Sequence, residues 1–416
     1  MVGAGVIGLA VARQARRAGL EVTVLERDSV GAGASSVAAG MLAPVAEVEF
    51  GAAGRTQLEL GTLSAGLWPA FAQELAEESG VELALGGSET LYVARDPDEA
   101  EELDRQLEFR QALGLPVRRL RASEAREREP ALAPGIRMAL ALGGERTVDP
   151  RRVLEALLVA CERAGVHVRE QASVVALDLD DGAGRVRGVR LASGEVVEAD
   201  HVVLAAGAWA SELAGASGPA GASGPAGAQA AGTRSAVRPV KGQILRLRDP
   251  AGAGLVGGVV RFVGGYLVPR GDGRYVLGAT VEDRGFDAAP TAGAVHALLC
   301  DAREVVPGID ELEIEELSVG FRPGSPDNLP LLGRGGVEGL IWAGGHYRNG
   351  VLLTPVTAEL VSGLLAPGSP DSLDPAQRER LLAACAPARF AAPSDAATGG
   401  AGRGAPALAA TGAPGR

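Results

Sequence analysis

The stretch that decides the fold is Gly3-Ala4-Gly5-Val6-Ile7-Gly8, a G-x-G-x-x-G run close to the start of the chain. In this pattern the first glycine permits a tight turn, the second lets the backbone approach a pyrophosphate, and the third lets a helix pack on a strand. Glu26 ends the next predicted strand, Leu20–Glu26, where a carboxylate can bind both ribose hydroxyls of an adenosine. Together these features predict a dinucleotide site; a glycine-rich turn with a surface glutamate is the alternative.

The strand that should precede this run is nearly absent. Only Met1 and Val2 stand before Gly3, although the motif needs a central strand of about five residues there. Losing about four buried apolar side chains, at ~1.5–3 kcal/mol each, costs most of a typical stability of ~5–15 kcal/mol. We therefore expect the natural protein to begin several codons upstream, and a chain that starts at Met1 to bind its cofactor poorly.

Composition places the chain among globular proteins of two or three domains, since 416 residues contain 46% hydrophobic and 22% charged residues. A net charge of −12 argues against nucleic acid as a partner. No uncharged run is apolar enough to predict a membrane span. The three cysteines, Cys161, Cys300 and Cys385, form no C-x-x-C pair, which favours a reducing, cytoplasmic compartment and gives no metal site.

Pattern changes along the chain predict a discontinuous architecture. A helix at Leu9–Ala18 and the strand after it give way to a strand-rich middle, and apolar βα sequence returns near the C-terminus. This order predicts an α/β plus α+β fold, in which a Rossmann-like domain carries an inserted domain built on a large antiparallel sheet. The predicted boundaries are 1–86, 147–213 and 315–366 for the nucleotide-binding domain, 87–146 and 237–314 for the inserted substrate domain, 214–236 for a low-complexity insertion and 386–416 for a disordered tail.

Three further segments have the composition of a ligand-binding loop. Small residues in Ser35–Met41 let a loop lie against a flat ligand, and Val203–Trp209 is an apolar strand followed by a glycine turn. Gly344–Pro355 (GGHYRNGVLLTP) places an exposed His-Tyr-Arg-Asn turn before an apolar helix, whose N-terminus suits an anionic or electron-rich ligand edge. The alternatives are an ordinary loop, a core strand and a helix-capping turn.

A carboxylate-binding group is also expected. Arg322 follows a predicted strand, and its guanidinium suits bidentate carboxylate binding. Tyr266 opens the strand YLVPR and offers a hydroxyl donor. A structural salt bridge for Arg322 and a half-buried core position for Tyr266 are the alternatives, and we expect Glu47 to make only local hydrogen bonds.

At this point the chain resembles the D-amino-acid oxidase superfamily of FAD oxidoreductases, and within it the glycine oxidases of thiamine biosynthesis. The resemblance runs from Gly3 to about Leu365, and Gly344–Leu353 is its most specific part. The motifs that carry it are GAGVIG, Ser35–Met41 with its extension AAGMLAP, VKGQ at Val240–Gln243, YLVPR at Tyr266–Arg270, GFRPGSPDNLPLLG at Gly320–Gly333 and GGHYRNGVLL.

The resemblance implies a role for each matching residue. Arg322 and Arg348 would bind the substrate carboxylate, with Tyr266 above it, and Met41 would narrow the pocket in favour of small amines. The residues implied to hold a non-covalent FAD are Gly3, Gly5, Val6, Ile7, Gly8, Glu26, Arg27, Ala34, Ser35, Ala39, Gly40, Met41, Val174, His346, Tyr347, Arg348, Asn349, Gly350, Val351 and Leu352.

The implied activity is oxidation of glycine, sarcosine or D-alanine to the imine and 2-oxo acid by hydride transfer to the flavin, with hydrogen peroxide as the second product. The implied partners are a small amino acid, O2, three further copies of the chain and a thiazole synthase that receives the product. The alternatives are a D-amino-acid dehydrogenase or a sarcosine oxidase-like enzyme, and a non-catalytic flavin-binding protein that arises from a truncated gene start.

Overall fold

The computed structural model describes residues 1–87, 89–180, 184–215, 237–252, 254–368 and 372–390. Of the predicted insertion, residues 216–236 lie outside this set, as do residues 391–416 of the predicted tail. The start of that tail is ordered, however: Pro387–Phe390 is a 3-10 turn. It is fixed because the Arg389 guanidinium contacts the Asp327 carboxylate at 2.8 Å and donates to the Leu329 carbonyl at 2.8 Å.

Helices and strands alternate at both ends of the chain, and strands dominate its middle. The helices are α1 (Val6–Arg17), α2 (Ala34–Val37), α3 (Gly51–Ser79), α4 (Pro97–Ala112), α5 (Ala122–Arg128), α6 (Pro150–Arg163), α7 (Ala210–Gly215), α8 (Ala292–Val305), α9 (Thr354–Leu365) and α10 (Pro375–Ala384). The strands are β1 (Thr23–Leu25), β2 (Met41–Leu42), β3 (Glu89–Ala94), β4 (Val117–Arg121), β5 (Met138–Gly143), β6 (Arg146–Thr147), β7 (His167–Arg169), β8 (Val174–Leu179), β9 (Val186–Leu191), β10 (Val196–Glu198), β11 (Val202–Leu204), β12 (Arg238–Arg248), β13 (Val259–Phe262), β14 (Gly265–Pro269), β15 (Arg274–Gly278), β16 (Glu313–Gly324), β17 (Leu331–Arg334) and β18 (Leu340–Gly344).

The first residues of the chain occupy the centre of a largely parallel sheet. Val2 bridges to Leu25 on one side and to Leu204 on the other, so that the order is β7-β1-Val2-β11-β18-β17. The Val2 amide donates to the Val203 carbonyl at 2.9 Å, and the Gly3 amide donates to the Leu25 carbonyl at 2.8 Å. The central strand that the glycine motif requires is therefore reduced to a short bridge at Val2, which has hydrogen bonds on both edges.

Helix α1 begins directly after this bridge, three residues earlier than its apolar periodicity predicts, because Gly5 already serves as its N-cap. It packs on α6 and α9. The close packing requires glycine at position 8, where a Cβ would lie 2.0 Å from the Gly3 carbonyl oxygen. Helix α6 starts as predicted, with Pro150 at its first position and the Asp149 carboxylate accepting from the Arg151 amide at 3.0 Å.

The second large element is an eight-stranded sheet in the order β16-β12-β15-β14-β13-β3-β5-β4. Every neighbouring pair is antiparallel except β13 and β3, which pair in parallel, so the sheet is mixed rather than purely antiparallel. Its strands come from both predicted substrate segments, and β16 adds residues 313–324 to it. The predicted boundary at 315 places most of β16 in the other domain, and its eleven residue pairs with β12 correct that assignment. The remaining domain boundaries stay a prediction.

No helix among the described residues has both the length and the apolar character needed to cross a membrane. The predicted α/β plus α+β architecture, with a Rossmann-like part and a large inserted sheet, is confirmed.

The contact between α1 and the glycine turn can be tested with two helical glycines. In Gly8→Ala the added Cβ meets the Gly3 carbonyl, so we expect the thermal midpoint to fall by at least about 4 °C and FAD content to drop. Gly66→Ala in α3 is the matched control, because a Cβ there meets nothing within 4 Å and alanine favours a helix. Equal midpoints for the two variants, measured by calorimetry, would contradict the packing argument.

Candidate active site

A cavity of about 510 Å³ extends from the start of α1 to the edge of the large sheet. Its walls come from the segments 2–7, 25–41, 172–175, 205–213 and 343–351 and from the strands β12, β14 and β16. The predicted site residues that line it are Gly3, Gly5, Val6, Ile7, Glu26, Arg27, Ala34, Ser35, Ala39, Gly40, Met41, Val174, Tyr266, Arg322, His346, Tyr347, Arg348, Asn349, Gly350 and Val351.

Two predicted cofactor residues do not line the cavity. Gly8 faces the Gly3 turn instead, as described above. Leu352 is buried, and its carbonyl accepts hydrogen bonds from the Ser64 hydroxyl at 2.6 Å and the Trp68 indole at 2.9 Å. Gly8 and Leu352 therefore support the residues of the cavity wall without lining the cavity themselves.

At the α1 end, backbone amides and one carboxylate define the cavity. The N-cap of helix α1 is Gly5, which has no side chain to cap the helix, and the amide of the first helical residue, Val6, donates to the Ser35 hydroxyl at 3.1 Å. The first turn contains no acidic residue, so the positive end of the helix dipole is not neutralised from within the helix. The Glu26 carboxylate accepts from the Ala4 amide at 2.8 Å and from the Asp28 amide at 3.0 Å. A carboxylate has about four acceptor sites, so Glu26 can hold the turn and still bind hydroxyl groups.

An aromatic wall that the sequence reasoning did not predict borders the same region. The Trp209 ring stacks on Phe286 with centroids 4.9 Å apart, and the Phe321 ring meets Trp209 edge-on. The Arg27 guanidinium lies 4.4 Å from the centre of the Trp209 ring. Trp209 stands in the predicted Val203–Trp209 segment, but its aromatic partners are distant in sequence and gave no local signal.

The turn before α9 differs from its prediction. His346 and Asn349 are buried, whereas Arg348 is only partly covered. The His346 ring lies 3.0 Å from the Thr357 hydroxyl of α9, and burial lowers its pKa to about 3. The expectation of an exposed His-Tyr-Arg-Asn turn is thus wrong for His346 and Asn349. The His346 ring is covered because it lies against the first turn of α9.

Arg322 reaches the cavity from β16 across the neighbouring strand β12. Its Nη1 donates to the Thr280 carbonyl at 2.9 Å and to the Lys241 carbonyl at 3.4 Å. A Cβ at position 242 would lie 2.4 Å from the guanidinium, so glycine there leaves room for Arg322 to cross β12 in this position. Among the described residues, no carboxylate lies within salt-bridge distance of the Arg322 guanidinium. The alternative role of Arg322, a structural salt bridge, therefore has no support among these residues.

The ionic partner of Arg348 was not predictable from the sequence. The Glu47 carboxylate contacts the Arg348 Nε at 3.2 Å and the Arg261 Nη1 at 2.5 Å. Burial opposes ionisation of Glu47, but the two guanidinium groups outweigh it and lower its pKa to about 2. The expectation of only local hydrogen bonds is wrong here, because Arg261 lies 214 residues away in sequence. The one local feature in the sequence is that Arg261 stands five residues before Tyr266, with which it pairs across β13 and β14.

The segment that carries Glu47 is fixed from two sides. The Arg110 guanidinium donates to the Val45 carbonyl at 3.0 Å and to the Ala46 carbonyl at 3.1 Å. The buried Glu145 carboxylate accepts from the Ala46 amide at 2.5 Å. Burial raises the pKa of Glu145 to about 7, despite opposing effects of the Thr90 hydroxyl and Arg261. These contacts hold Glu47 at the cavity wall.

Comparison with known proteins gives consistent similarities. The sequence profile described as "FAD dependent oxidoreductase" matches residues 1–364. The chain is 35% identical to the glycine oxidase of Geobacillus kaustophilus over 88% of this chain and 92% of that protein. The crystal structure of glycine oxidase from that organism superposes with a TM-score of 0.79 and 33% identity, over 91% of this chain and 96% of that one. A "Bifunctional protein ThiO/ThiG" from Trichormus variabilis is 32% identical over 90% of this chain and 53% of its own length.

The buried Glu145 carboxyl predicts a pH-dependent stability. Its pKa lies above the ordinary 4.5 when folded, so the folded protein holds this proton more tightly, and the contribution of Glu145 to stability falls as pH rises from about 4.5 to 7. We expect Glu145→Gln to be more stable than the parent at pH 8 by up to about 3 kcal/mol and equal to it near pH 4.5. Urea midpoints at the two pH values measure this effect.

Glu101→Gln is the control, since Glu101 is 75% exposed and its substitution should leave both midpoints in place. A Glu145→Gln midpoint that follows the parent at every pH would show that burial does not control this carboxyl.

Proposed function

The chain belongs to the family of FAD-dependent oxidoreductases, and we propose that it oxidises glycine and other small primary or secondary amines, such as sarcosine and D-alanine, at the carbon beside the nitrogen. The family resemblance, the FAD cofactor and the class of FAD-dependent amino-acid oxidase predicted from the sequence are confirmed by the similarities above. The similarities favour neither the dehydrogenase, the sarcosine oxidase-like enzyme nor the non-catalytic protein.

The cavity residues fit an FAD molecule. A Cβ at Gly3, which has a φ of +104°, would lie 2.6 Å from the Ala205 carbonyl oxygen, so only glycine lets this turn pack against the backbone that follows β11. The N-terminus of α1, whose first turn contains no acidic residue, suits a pyrophosphate, and Glu26 at the rim suits ribose hydroxyls. When bound, FAD supplies a two-electron acceptor for the amine.

We propose that the lining residues divide the cofactor between them. Gly3, Gly5, Val6, Ile7, Glu26 and Arg27 surround the adenosine and pyrophosphate half. Val174 and the segment from Ala34 and Ser35 to Ala39, Gly40 and Met41 border the flavin half, together with residues 346–351. Gly8 and Leu352 support these walls through the contacts described above.

Arg322 carries the substrate proposal, because it is a charged group of the cavity wall without a described carboxylate partner. A small amino acid supplies the missing anion, and a charge-assisted contact of this kind contributes roughly 1.5–3 kcal/mol. Arg348 and the Tyr266 hydroxyl line the same part of the cavity, and burial raises the pKa of Tyr266 and keeps it a donor. Met41 limits the room for a side chain.

The chain offers orientation rather than a strong base. Glu47 is ionised and held between two guanidinium groups, and the neutral His346 ring faces Thr357. Neither is free to take a proton from the substrate. The reaction therefore depends on binding the neutral amine with its Cα–H directed to the flavin, which is the role of the carboxylate contacts.

The finer partners belong to the same proposal. O2 is the electron acceptor and hydrogen peroxide the product, in the cytoplasm. The imine passes to thiazole synthesis, which is supported by the ThiO/ThiG name of a longer relative, 53% of whose length aligns with this chain. The active form is a homotetramer.

Arg322→Met tests the substrate proposal. We expect kcat/KM for glycine to fall by about 100-fold, since a charged contact to the substrate is lost, while the visible spectrum of bound FAD stays unchanged. Anaerobic bleaching of the cofactor by glycine, sarcosine and D-alanine, and peroxide release in air, are the measurements. Arg119→Met, an exposed β4 position paired with Asp104, is the control. A parent protein that holds FAD but is bleached by none of these amines would refute the function.

A further inference from the structure

Arg270 is a cation that lies behind the cavity wall rather than in it. It directly follows β14, and its Nε is buried without a hydrogen-bond partner among the described residues. Its Nη2 donates to the Ala39 carbonyl at 2.7 Å, and its Nη1 donates to the Val148 carbonyl at 3.1 Å. Burial lowers the pKa of Arg270 to about 10, so the guanidinium is charged at neutral pH.

Arg270 differs from two other arginines that bind the same loop. The Arg151 Nε and the Arg246 Nη2 both donate to the Ser36 carbonyl, at 3.0 Å and 2.7 Å. The Glu316 carboxylate lies 2.7 Å from Arg151 and 3.7 Å from Arg246, so these two cations have an acidic partner. In the part of the chain that the structure describes, no carboxylate lies within salt-bridge distance of Arg270. Its hydrogen bonds go to backbone carbonyls instead, and these contacts offset part of the cost of burying its charge.

The two carbonyls that Arg270 binds belong to segments that meet at Gly40. The Val148 amide donates to the Gly40 carbonyl at 2.9 Å. Gly40 has a φ of +75°, and a Cβ there would lie 1.9 Å from the Val148 carbonyl oxygen. Arg270 therefore joins two backbone segments that are already in close contact, and it fixes the direction of the Ala39 carbonyl.

The direction of this carbonyl also sets the direction of the next amide. The Ala39–Gly40 peptide is trans, and in a trans peptide plane the C=O and the following N–H point in opposite directions. The Gly40 N–H is therefore directed away from Arg270. Gly40 lines the cavity, whereas Arg270 does not. The buried Gly40 amide has no acceptor among the described residues, although nearly all buried amides in proteins are paired.

We propose that Arg270 is a positioning residue for the cofactor, which binds the Ala39 and Val148 carbonyls together and so holds the Gly40 amide toward the flavin half of FAD. An N–H donor stabilises most the form of the flavin that carries more negative charge, which is the reduced form. The bound flavin is therefore easier to reduce. This inference rests on the proposed amine oxidation and on the proposed place of the flavin beside Ala39, Gly40 and Met41.

The midpoint potential of the bound FAD tests this role without any amine. In Arg270→Met both carbonyl contacts are lost, and we expect the preference of the protein for reduced over oxidised FAD to fall about tenfold. A tenfold change lowers the potential of a two-electron couple by about 30 mV. The potential is measured on the holoenzyme by anaerobic reduction beside an indicator dye, and the visible spectrum confirms that FAD is bound.

A purely structural role of Arg270 gives a different result. General destabilisation weakens the binding of oxidised and reduced FAD equally and leaves the potential in place, even where the thermal midpoint falls. An unchanged potential in FAD-loaded Arg270→Met therefore overturns the proposal.

Arg270→Lys separates the two contacts from the charge, and it carries the test where Arg270→Met retains no FAD. Lysine keeps the positive charge, but its ammonium is a point donor that does not reproduce a planar fork between two carbonyls. We expect a threefold loss of preference, which is a potential about 15 mV below that of the parent. A potential equal to that of the parent overturns the role of the paired contacts.

Arg274→Met is the matched control for both variants. Arg274 lies on the same hairpin, its side chain is half exposed, and its guanidinium pairs with Asp272 at 2.6 Å. Its replacement should leave the potential unchanged. A shift as large as that of Arg270→Met would show that any lost cation on this hairpin has the effect, and would refute the specific role of Arg270.

The outcomes separate this role from the proposed function. Oxidation of glycine by a protein whose potential does not respond to Arg270 retains the proposed function and refutes the positioning role. The expected potentials in a protein whose FAD is bleached by none of the amines support the positioning role and refute the proposed function.

Discussion

The site depends on the pairing of β16 with β12. Both strands belong to the large sheet, and residues of both also line the cavity. Eleven residues of β12 pair with β16, and the register places Gly242 opposite Gly320. The Arg322 guanidinium crosses β12 over Gly242, and the backbone of Gly320 lies against Val37, where a Cβ would come within 3.1 Å. A slip of one residue would turn Arg322 to the other face of the sheet.

The buried charges of Glu47 and Arg261 serve the site rather than the stability of the fold. Burying Glu47 and Arg261 removes both from water, and their attraction repays that loss only where the geometry is good. The structure supplies such geometry by fixing the backbone of Val45 and Ala46, directly before Glu47, through Arg110 and Glu145. A preorganised arrangement of this kind is typical of sites that must bind or orient charge.

Local sequence was sufficient for the parts of the site that are built from consecutive residues. The glycine run, the cap of α6 and the motif at residues 344–353 carry their structural reason within a few positions. Most residues of the glycine run and of that motif line one cavity. Pairs of distant residues were not predictable in the same way. The Glu47–Arg261 ion pair and the parallel contact of β13 with β3 join segments about 170 to 210 residues apart, and a single sequence gives no register for such contacts. The bridge at Val2 shows a third case, in which two neighbouring strands satisfy the backbone of a strand too short to be recognised from its own residues.

The three guanidinium groups that act on Glu47, those of Arg261, Arg348 and Arg322, link substrate binding to the lack of a strong base among the described cavity residues. A nearby cation favours the ionised form of a carboxylate and the neutral form of an amine. Around Glu47, three guanidinium groups therefore favour an amino acid whose carboxylate is charged and whose nitrogen has lost its proton to solvent. The neutral amine is the form from which Cα–H is most readily lost to an electron acceptor, since its lone pair stabilises the imine that forms. In the proposed reaction the arginines thus both orient the substrate and select its reactive protonation state, and a separate proton acceptor on the chain is not required.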